Sequence, residues 1–172
     1  MDQGDFARVY DAQYSRVFHY LQSRLRDRNA AELLAAEVFA TALTACQKGA
    51  APRQIGSWLV GIADHLASQT QRSAQSDQRP AEADAAAEHD PEELALGRLD
   101  SEMIWHCVDA LSAEHREVLL FRIVAGLSAR EVGELIGRTE EAVRSLQLQA
   151  LLALREMSSG AEIRAGRRTT AG

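Results

Sequence analysis

The chain has 172 residues, and Lys+Arg 19 against Asp+Glu 25 gives a net charge of −6. With 46% hydrophobic and 26% charged residues, its composition is that of a folded soluble protein and not of a disordered one. Two cysteines are too few for a disulfide framework, and the sequence predicts neither a signal peptide nor a membrane span. The 30 alanines and 20 leucines favour an all-α protein, which we expect in the cytoplasm.

The first 72 residues have the apolar periodicity of three helices. Apolar residues from Phe6 to Leu25 recur at spacings of three, four and seven, as one buried helix face requires. A second helix is predicted over Ala30–Cys46, and the Gly and Pro of Lys48–Pro52 predict a loop. A third helix follows from Ile55, with one continuous apolar stripe.

The next segment is acidic and poor in large apolar residues. Residues 73–100 carry two basic and eight acidic groups, so the net charge of this segment equals the −6 of the whole chain. We therefore expect a flexible, self-repelling linker at residues 73–90. The chain is predicted to form two small helical domains, at residues 1–72 and 91–157, followed by a disordered tail at 158–172.

The second domain begins with two predicted helices. Pro91 suits the first turn of a helix that reaches about Ala110. Ser112 is the predicted N-cap of a helix over Ala113–Val124, which Gly126 would end.

The most specific feature of the sequence is the stretch GLSAREVGELIGRTEEAVRS. Ser128 and Glu131 form a capping box that opens a short helix, Gly137 suits a sharp turn, and Thr139 caps the helix that follows. This is the pattern of a helix-turn-helix, whose second helix normally enters the DNA major groove. The same pattern also occurs in helical bundles that bind no nucleic acid.

Taken together, these segments resemble the extracytoplasmic-function (ECF) group of bacterial sigma factors. In the first domain the matching stretches are FARVYDAQYSRVFHYLQSRL, AAELLAAEVFATAL and SWLVGIADHLA. In the second they are ALSAEHREVLLFRIVAGLSAREVGELIGRTEEAVRS and LALRE. The resemblance implies a region 2 domain that binds the polymerase clamp and melts the −10 promoter element. It also implies a region 4 domain that reads the −35 element.

The resemblance also implies functional residues. The polymerase contact would fall on Glu32, Leu33, Ala36, Glu37 and Phe39. The −10 contacts would fall on Lys48, Arg53, His65, Gln69 and Arg72. The −35 contacts would come from Arg138, Glu140, Glu141, Arg144, Ser145 and Gln147.

The sequence departs from the family pattern in its charges. Leu33 and Ala36 replace the usual acidic and amide groups, and Gly61 and Asp64 occupy positions that are usually basic. The last helix, Thr139–Met157, has two arginines against three glutamates. Because phosphate neutralisation dominates DNA affinity, we expect weak promoter binding by the isolated protein.

The last helix also carries a second apolar side. At 100° per residue, Val143, Ala150 and their neighbours face the domain, whereas Leu148, Leu151 and Leu152 fall on the opposite side. An exposed apolar stripe of this kind indicates a protein partner. Packing of the stripe on the first domain of the same chain is the alternative.

The interpretation is a sigma factor that binds core RNA polymerase and promoter DNA, with an anti-sigma factor or other regulatory protein as a further partner. No metal-ligand spacing, phosphate loop or nucleophile motif is present, so we expect neither a cofactor nor an enzyme. One alternative is a degenerate sigma-like protein that acts mainly through protein binding. A stand-alone helix-turn-helix repressor would need a basic reading helix, which this chain lacks.

Overall fold

The computed structural model of the chain describes residues 3–50, 52–76 and 104–169. These residues form helices joined by short turns and contain no strand, so the all-α prediction is confirmed. Most of the predicted linker at residues 73–90 lies outside the described residues, and so does Pro91, the predicted start of the second domain.

The first three helices form a bundle. They are α1 (Gln3–Leu25), α2 (Arg28–Gln47) and α3 (Ile55–Ser76). Helix α2 begins two residues before its predicted start, because the Asp27 carboxylate accepts a hydrogen bond of 3.0 Å from the Ala30 N–H. Helix α3 continues four residues beyond the predicted domain boundary at Arg72. The core is made by side chains that are 0% exposed, among them Val17, Leu21, Ala35, Val38, Leu59, Val60 and Ala63.

Helix α2 is long and apolar enough, by length and composition alone, to cross a membrane. Its buried side chains are Ala31, Ala35, Val38, Phe39, Ala42 and Cys46. These side chains pack in the bundle, so the apolar composition of α2 is accounted for by its place in the core.

In the second part of the chain, the first described residues, 104–110, are helical and are labelled α4. Helix α5 (Ala113–Leu119) follows, and the predicted N-cap is confirmed because the Ser112 Oγ accepts from the His115 N–H. The predicted helix over Ala113–Val124 ends as a π-helical turn, Leu120–Val124, instead of staying α-helical. Consecutive buried residues are divided there between two cores: Leu119 packs with Ala150, whereas Leu120 and Phe121 join the main cluster.

Two further helices complete the fold, α6 (Ala129–Ile136) and α7 (Glu140–Thr169). The tail was predicted to be disordered from residue 158, but α7 continues to Thr169. Residues 158–169 contain alanine, glutamate, isoleucine and arginine and no proline, so an existing helix can extend through them without a new nucleation step.

The two parts of the chain pack directly on each other. The Tyr20 ring of α1 stacks on the Phe121 ring of the π-helical turn, with centroids 5.3 Å apart and planes 6° from parallel. One cluster of buried residues therefore runs through both parts, from Phe6 to Val143.

Candidate nucleic-acid and protein interfaces

The predicted helix-turn-helix is formed by α6 and α7. The Glu131 N–H donates to the Ser128 Oγ over 3.2 Å, and the Ser128 N–H donates to the Glu131 carboxylate over 2.8 Å. Hydrogen bonding to the Glu131 carboxylate from the Ser128 side chain, and then from the Ser128 N–H, lowers the pKa of Glu131. Gly137 ends α6 in the left-handed conformation, with φ 67°, and the Thr139 Oγ1 caps α7 by accepting from the Ala142 N–H. The capping box, the turn and the second cap are thus confirmed.

The tight turn depends on a second glycine that sequence analysis missed. A Cβ on Gly133 would lie 2.6 Å from the carbonyl oxygen of Arg138, a distance that the backbone cannot accept. The Arg138 N–H donates to the Gly133 carbonyl over 2.9 Å, which fixes the turn between the two helices. A glycine in the middle of an otherwise good helix was the available signal.

The start of α7 presents polar side chains to solvent. Four of the predicted −35 residues on α7 are exposed: Glu140, Glu141, Arg144 and Ser145. The Arg144 guanidinium pairs with the Glu140 carboxylate at 2.5 Å, and Arg138, which is also exposed, pairs with Glu114 at 2.8 Å. Both cations of this surface therefore face carboxylates before any phosphate is bound.

Gln147 differs from the other predicted −35 residues. Its side-chain oxygen accepts a hydrogen bond of 2.9 Å from the Arg122 Nε, and the residue is half-buried. Its side chain thus joins α7 to the π-helical turn within the same part of the chain.

The predicted −10 residues on α3 lie along one exposed face. His65, Gln69 and Arg72 are spaced by four and three positions, and the side chains of His65 and Gln69 are hydrogen-bonded at 2.9 Å. Lys48 and Arg53 are exposed in the connection between α2 and α3. The structure thus brings three of these residues together on one helix and leaves two beside it.

The predicted polymerase contacts on α2 divide into two groups. Glu32, Leu33, Ala36 and Glu37 are exposed, and Leu33 has 72% of its surface free. Phe39 is only 4% exposed, and its ring centroid lies 4.7 Å from that of Tyr10. Phe39 therefore belongs to the core of the bundle, where its ring packs against the aromatic side chains of α1.

The apolar stripe of α7 is open to solvent. Leu148, Leu151 and Leu152 are 60%, 40% and 50% exposed, whereas Val143 and Ala150 on the other side are fully buried. In the described residues these three leucines are not covered by the first three helices, so the alternative that the stripe packs on the first domain is wrong.

Other site chemistry is sparse in the described part of the chain. No three His, Cys, Asp or Glu side chains there are placed to hold a metal ion, and Cys46 and Cys107 are both buried free thiols.

Comparison with known proteins gives consistent results. Residues 107–156 match the family model of sigma-70 region 4. The chain is 30% identical to the ECF RNA polymerase sigma factor BldN of Streptomyces coelicolor over 87% of its own length and 58% of that protein. It is 31% identical to the ECF RNA polymerase sigma factor ShbA of Streptomyces griseus, over 83% of this chain and 81% of that one. It thus spans little more than half of BldN.

Among solved structures, the chain is similar to the sigma factor RpoE of Bartonella quintana, crystallised with the anti-sigma factor NepR. The TM-score is 0.69 at 20% identity, covering 90% of this chain and 97% of that one. This likeness concerns the fold.

Proposed function

Because this chain belongs to the ECF group of RNA polymerase sigma factors, we propose that it binds core RNA polymerase and directs transcription initiation at specific promoters. The observation that carries the proposal is the helix-turn-helix, in which the capped first turns of α7 present Glu140, Arg144 and Ser145 to solvent. Such a role requires no catalytic residue or cofactor of its own. It also implies a cytoplasmic location, where the polymerase is found.

The polymerase-binding surface is proposed to be the exposed face of α2, made by Glu32, Leu33, Ala36 and Glu37. Leu33 is the strongest anchor, since a side chain left 72% exposed would gain most from burial by a partner. Because Leu33 supports nothing in the core, Leu33→Asp should weaken polymerase binding and leave the helical circular dichroism unchanged. Ile123→Asp is the matched control, since Ile123 is 59% exposed and lies in the π-helical turn.

The promoter-binding surfaces are proposed to be α3 with the preceding loop for the −10 element, and the start of α7 for the −35 element. Arg144→Ala should reduce promoter-directed transcription by about 5- to 150-fold if the arginine makes a base contact worth about 1–3 kcal/mol. His65, Gln69 and Arg72 form the corresponding set on α3.

The decisive experiment is transcription in vitro with core polymerase and a library of genomic fragments from the source organism. The full chain should produce discrete transcripts that core polymerase alone does not, and Leu33→Asp and Arg144→Ala should each reduce them. If the chain yields no transcripts while a housekeeping sigma factor does so with the same polymerase, the proposed function is wrong.

The exposed α7 stripe is proposed to bind an anti-sigma factor, the class of partner in the similar crystal structure. The double variant Leu148→Ser with Leu152→Ser should transcribe normally with purified polymerase. In cells it should transcribe more than the wild-type chain, because the inhibitor no longer binds. An equal loss in both settings would instead assign the stripe to the polymerase or to DNA.

A further inference from the structure

The start of α7 carries an acidic and a basic side chain that are joined to each other. The Nε and the Nη2 of Arg144 both donate to one oxygen of the Glu140 carboxylate, Oε1, over 3.2 and 2.5 Å. The second carboxylate oxygen and the Nη1 group of the guanidinium lie outside this pairing. The two side chains are 46% exposed at Glu140 and 69% exposed at Arg144, so the pair as a whole is open to a ligand.

The simplest role of such a pair is to stabilise the helix. A glutamate four positions before an arginine is the favourable orientation, and a carboxylate suits the first turn of a helix. The position of this pair adds a second role, because helix stabilisation would be served anywhere on the exposed side of α7. Glu140 and Arg144 lie in the first turns of the second helix of the helix-turn-helix, the part that contacts base edges.

The carboxylate restricts what Arg144 binds. A DNA phosphate that approaches the Arg144 guanidinium is repelled by the Glu140 carboxylate beside it. A base edge that offers only acceptors is disfavoured at Glu140 as well, since an ionised carboxylate has no proton to donate. A ligand that satisfies both side chains therefore presents acceptors to Arg144 and, next to them, a donor to Glu140.

One base pair has this pattern in the major groove. A G·C pair presents the N7 and O6 acceptors of guanine and then the N4 amino donor of cytosine. An A·T pair instead alternates, with the N7 acceptor and N6 amino donor of adenine followed by the O4 acceptor of thymine. Two neighbouring acceptors suit the parallel donors of a guanidinium, and the adjoining amino group suits a carboxylate.

We infer that Glu140 and Arg144 read one G·C base pair as a unit, in which Arg144 donates to guanine O6 and N7 and Glu140 accepts from the cytosine N4 amino group. This inference rests on the proposed function and names a base pair that its −35 surface selects. When Arg144 turns from Glu140 to guanine, the cytosine amino group replaces it on the carboxylate. At any other base pair Glu140 loses its partner or faces an acceptor, so it also acts against wrong sequences.

Selection from a randomised duplex library by the full chain, at low salt and without polymerase, tests this inference. The wild-type chain should enrich a site with one G·C pair that is favoured over A·T by about 5- to 150-fold, the range of a good base contact. Glu140→Gln and Arg144→Ala should each lower the preference at that same pair. Their effects on the affinity for unselected DNA should be opposite, because Glu140→Gln releases Arg144 to phosphates and Arg144→Ala removes it.

Glu141→Gln is the matched control. It removes the same charge from the next exposed position of the first turn, about 100° around the helix. This variant should keep the preference at the G·C pair. If Glu140 only stabilises the helix, Glu140→Gln should lower the Tm and keep the preference too, so the selection separates the two roles.

Transcription with core polymerase then separates the inference from the proposed function. A wild-type chain that enriches no sequence at low salt, or a Glu140→Gln variant with the full preference, overturns the inference. If the G·C preference depends on both residues but the chain gives no transcripts, the base-pair assignment stands and the proposed function fails. If transcripts appear and Glu140→Gln leaves the preference unchanged, the proposed function stands and the inference fails.

Discussion

The hydroxyl of Tyr20 gives the sharpest test of the energetics of this fold. Tyr20→Phe keeps the ring on Phe121 and removes the hydrogen bond of 2.7 Å to Asp64. Hydrogen bonds to charged groups contribute about 1.5–3 kcal/mol. Asp64 retains Arg24 at 3.5 Å and is 24% exposed, so we expect the lower end, a loss of about 1.5 kcal/mol. That corresponds to a decrease in Tm of about 3–6 °C for a chain of this size.

Urea unfolding followed by circular dichroism measures this loss. Tyr10→Phe is the control on the same helix, because Tyr10 is 40% exposed. Its free energy of unfolding should fall by no more than about 0.5 kcal/mol. Asp64→Asn completes a double-mutant cycle, in which the two sites should be coupled by about 1 kcal/mol. Equal stability of Tyr20→Phe and wild type, with no coupling in the cycle, would refute the assigned role of this hydrogen bond.

The same substitution has a signature at high pH. Burial, and then Asp64, raise the pKa of Tyr20 well above its ordinary value of 10. A tyrosine whose pKa is raised on folding stabilises the folded state fully below pH 10, and this contribution is lost as the pH rises further. The free energy of unfolding of the wild-type chain should therefore fall above pH 10 more steeply than that of Tyr20→Phe.

Three further predictions concern single side chains. Burial first, and then Asp64, raise the pKa of Glu117 above its ordinary 4.5, so the unfolding free energy should fall as the pH rises above 4.5. Glu117→Gln should remove this fall in urea titrations between pH 4.5 and 7 and be the more stable chain at pH 7. Ser128→Ala should lower stability by about 1 kcal/mol in thermal unfolding, since it removes the N-cap of α6. Gly133→Ala should lower stability more than Gly137→Ala in the same assay. The new methyl group at 133 would lie 2.6 Å from the Arg138 carbonyl oxygen, whereas the one at 137 would have space and would add only the strain of a positive φ.

Much of the fold could be predicted because it depends on local signals. Capping residues such as Ser112, Ser128 and Thr139 act on N–H groups within a few positions, so their pattern is visible in the sequence. The buried side of α7 could likewise be predicted from a 100° rotation per residue, and Val143 and Ala150 are indeed fully buried.

What could not be predicted depends on contacts distant in sequence. Phe39 was assigned to a polymerase surface by resemblance, but the aromatic cluster with Phe6, Tyr10 and Tyr14 decides its burial. Gln147 was assigned to DNA, but its hydrogen bond to Arg122 spans 25 residues. The π-helical turn follows from packing on two cores at once, which no single periodicity expresses.

The unusual charges of this chain have a common consequence for promoter binding. Arg138 and Arg144 are each paired with a carboxylate, so a phosphate must displace Glu114 or Glu140 before it gains either cation. Each phosphate contact contributes about −0.9 to the slope of the logarithm of the affinity against the logarithm of the salt concentration. Two arginines that are already paired with carboxylates contribute little to this slope. Under the proposed function, we therefore expect stable promoter binding only when several contacts form together, on the polymerase and on both DNA elements.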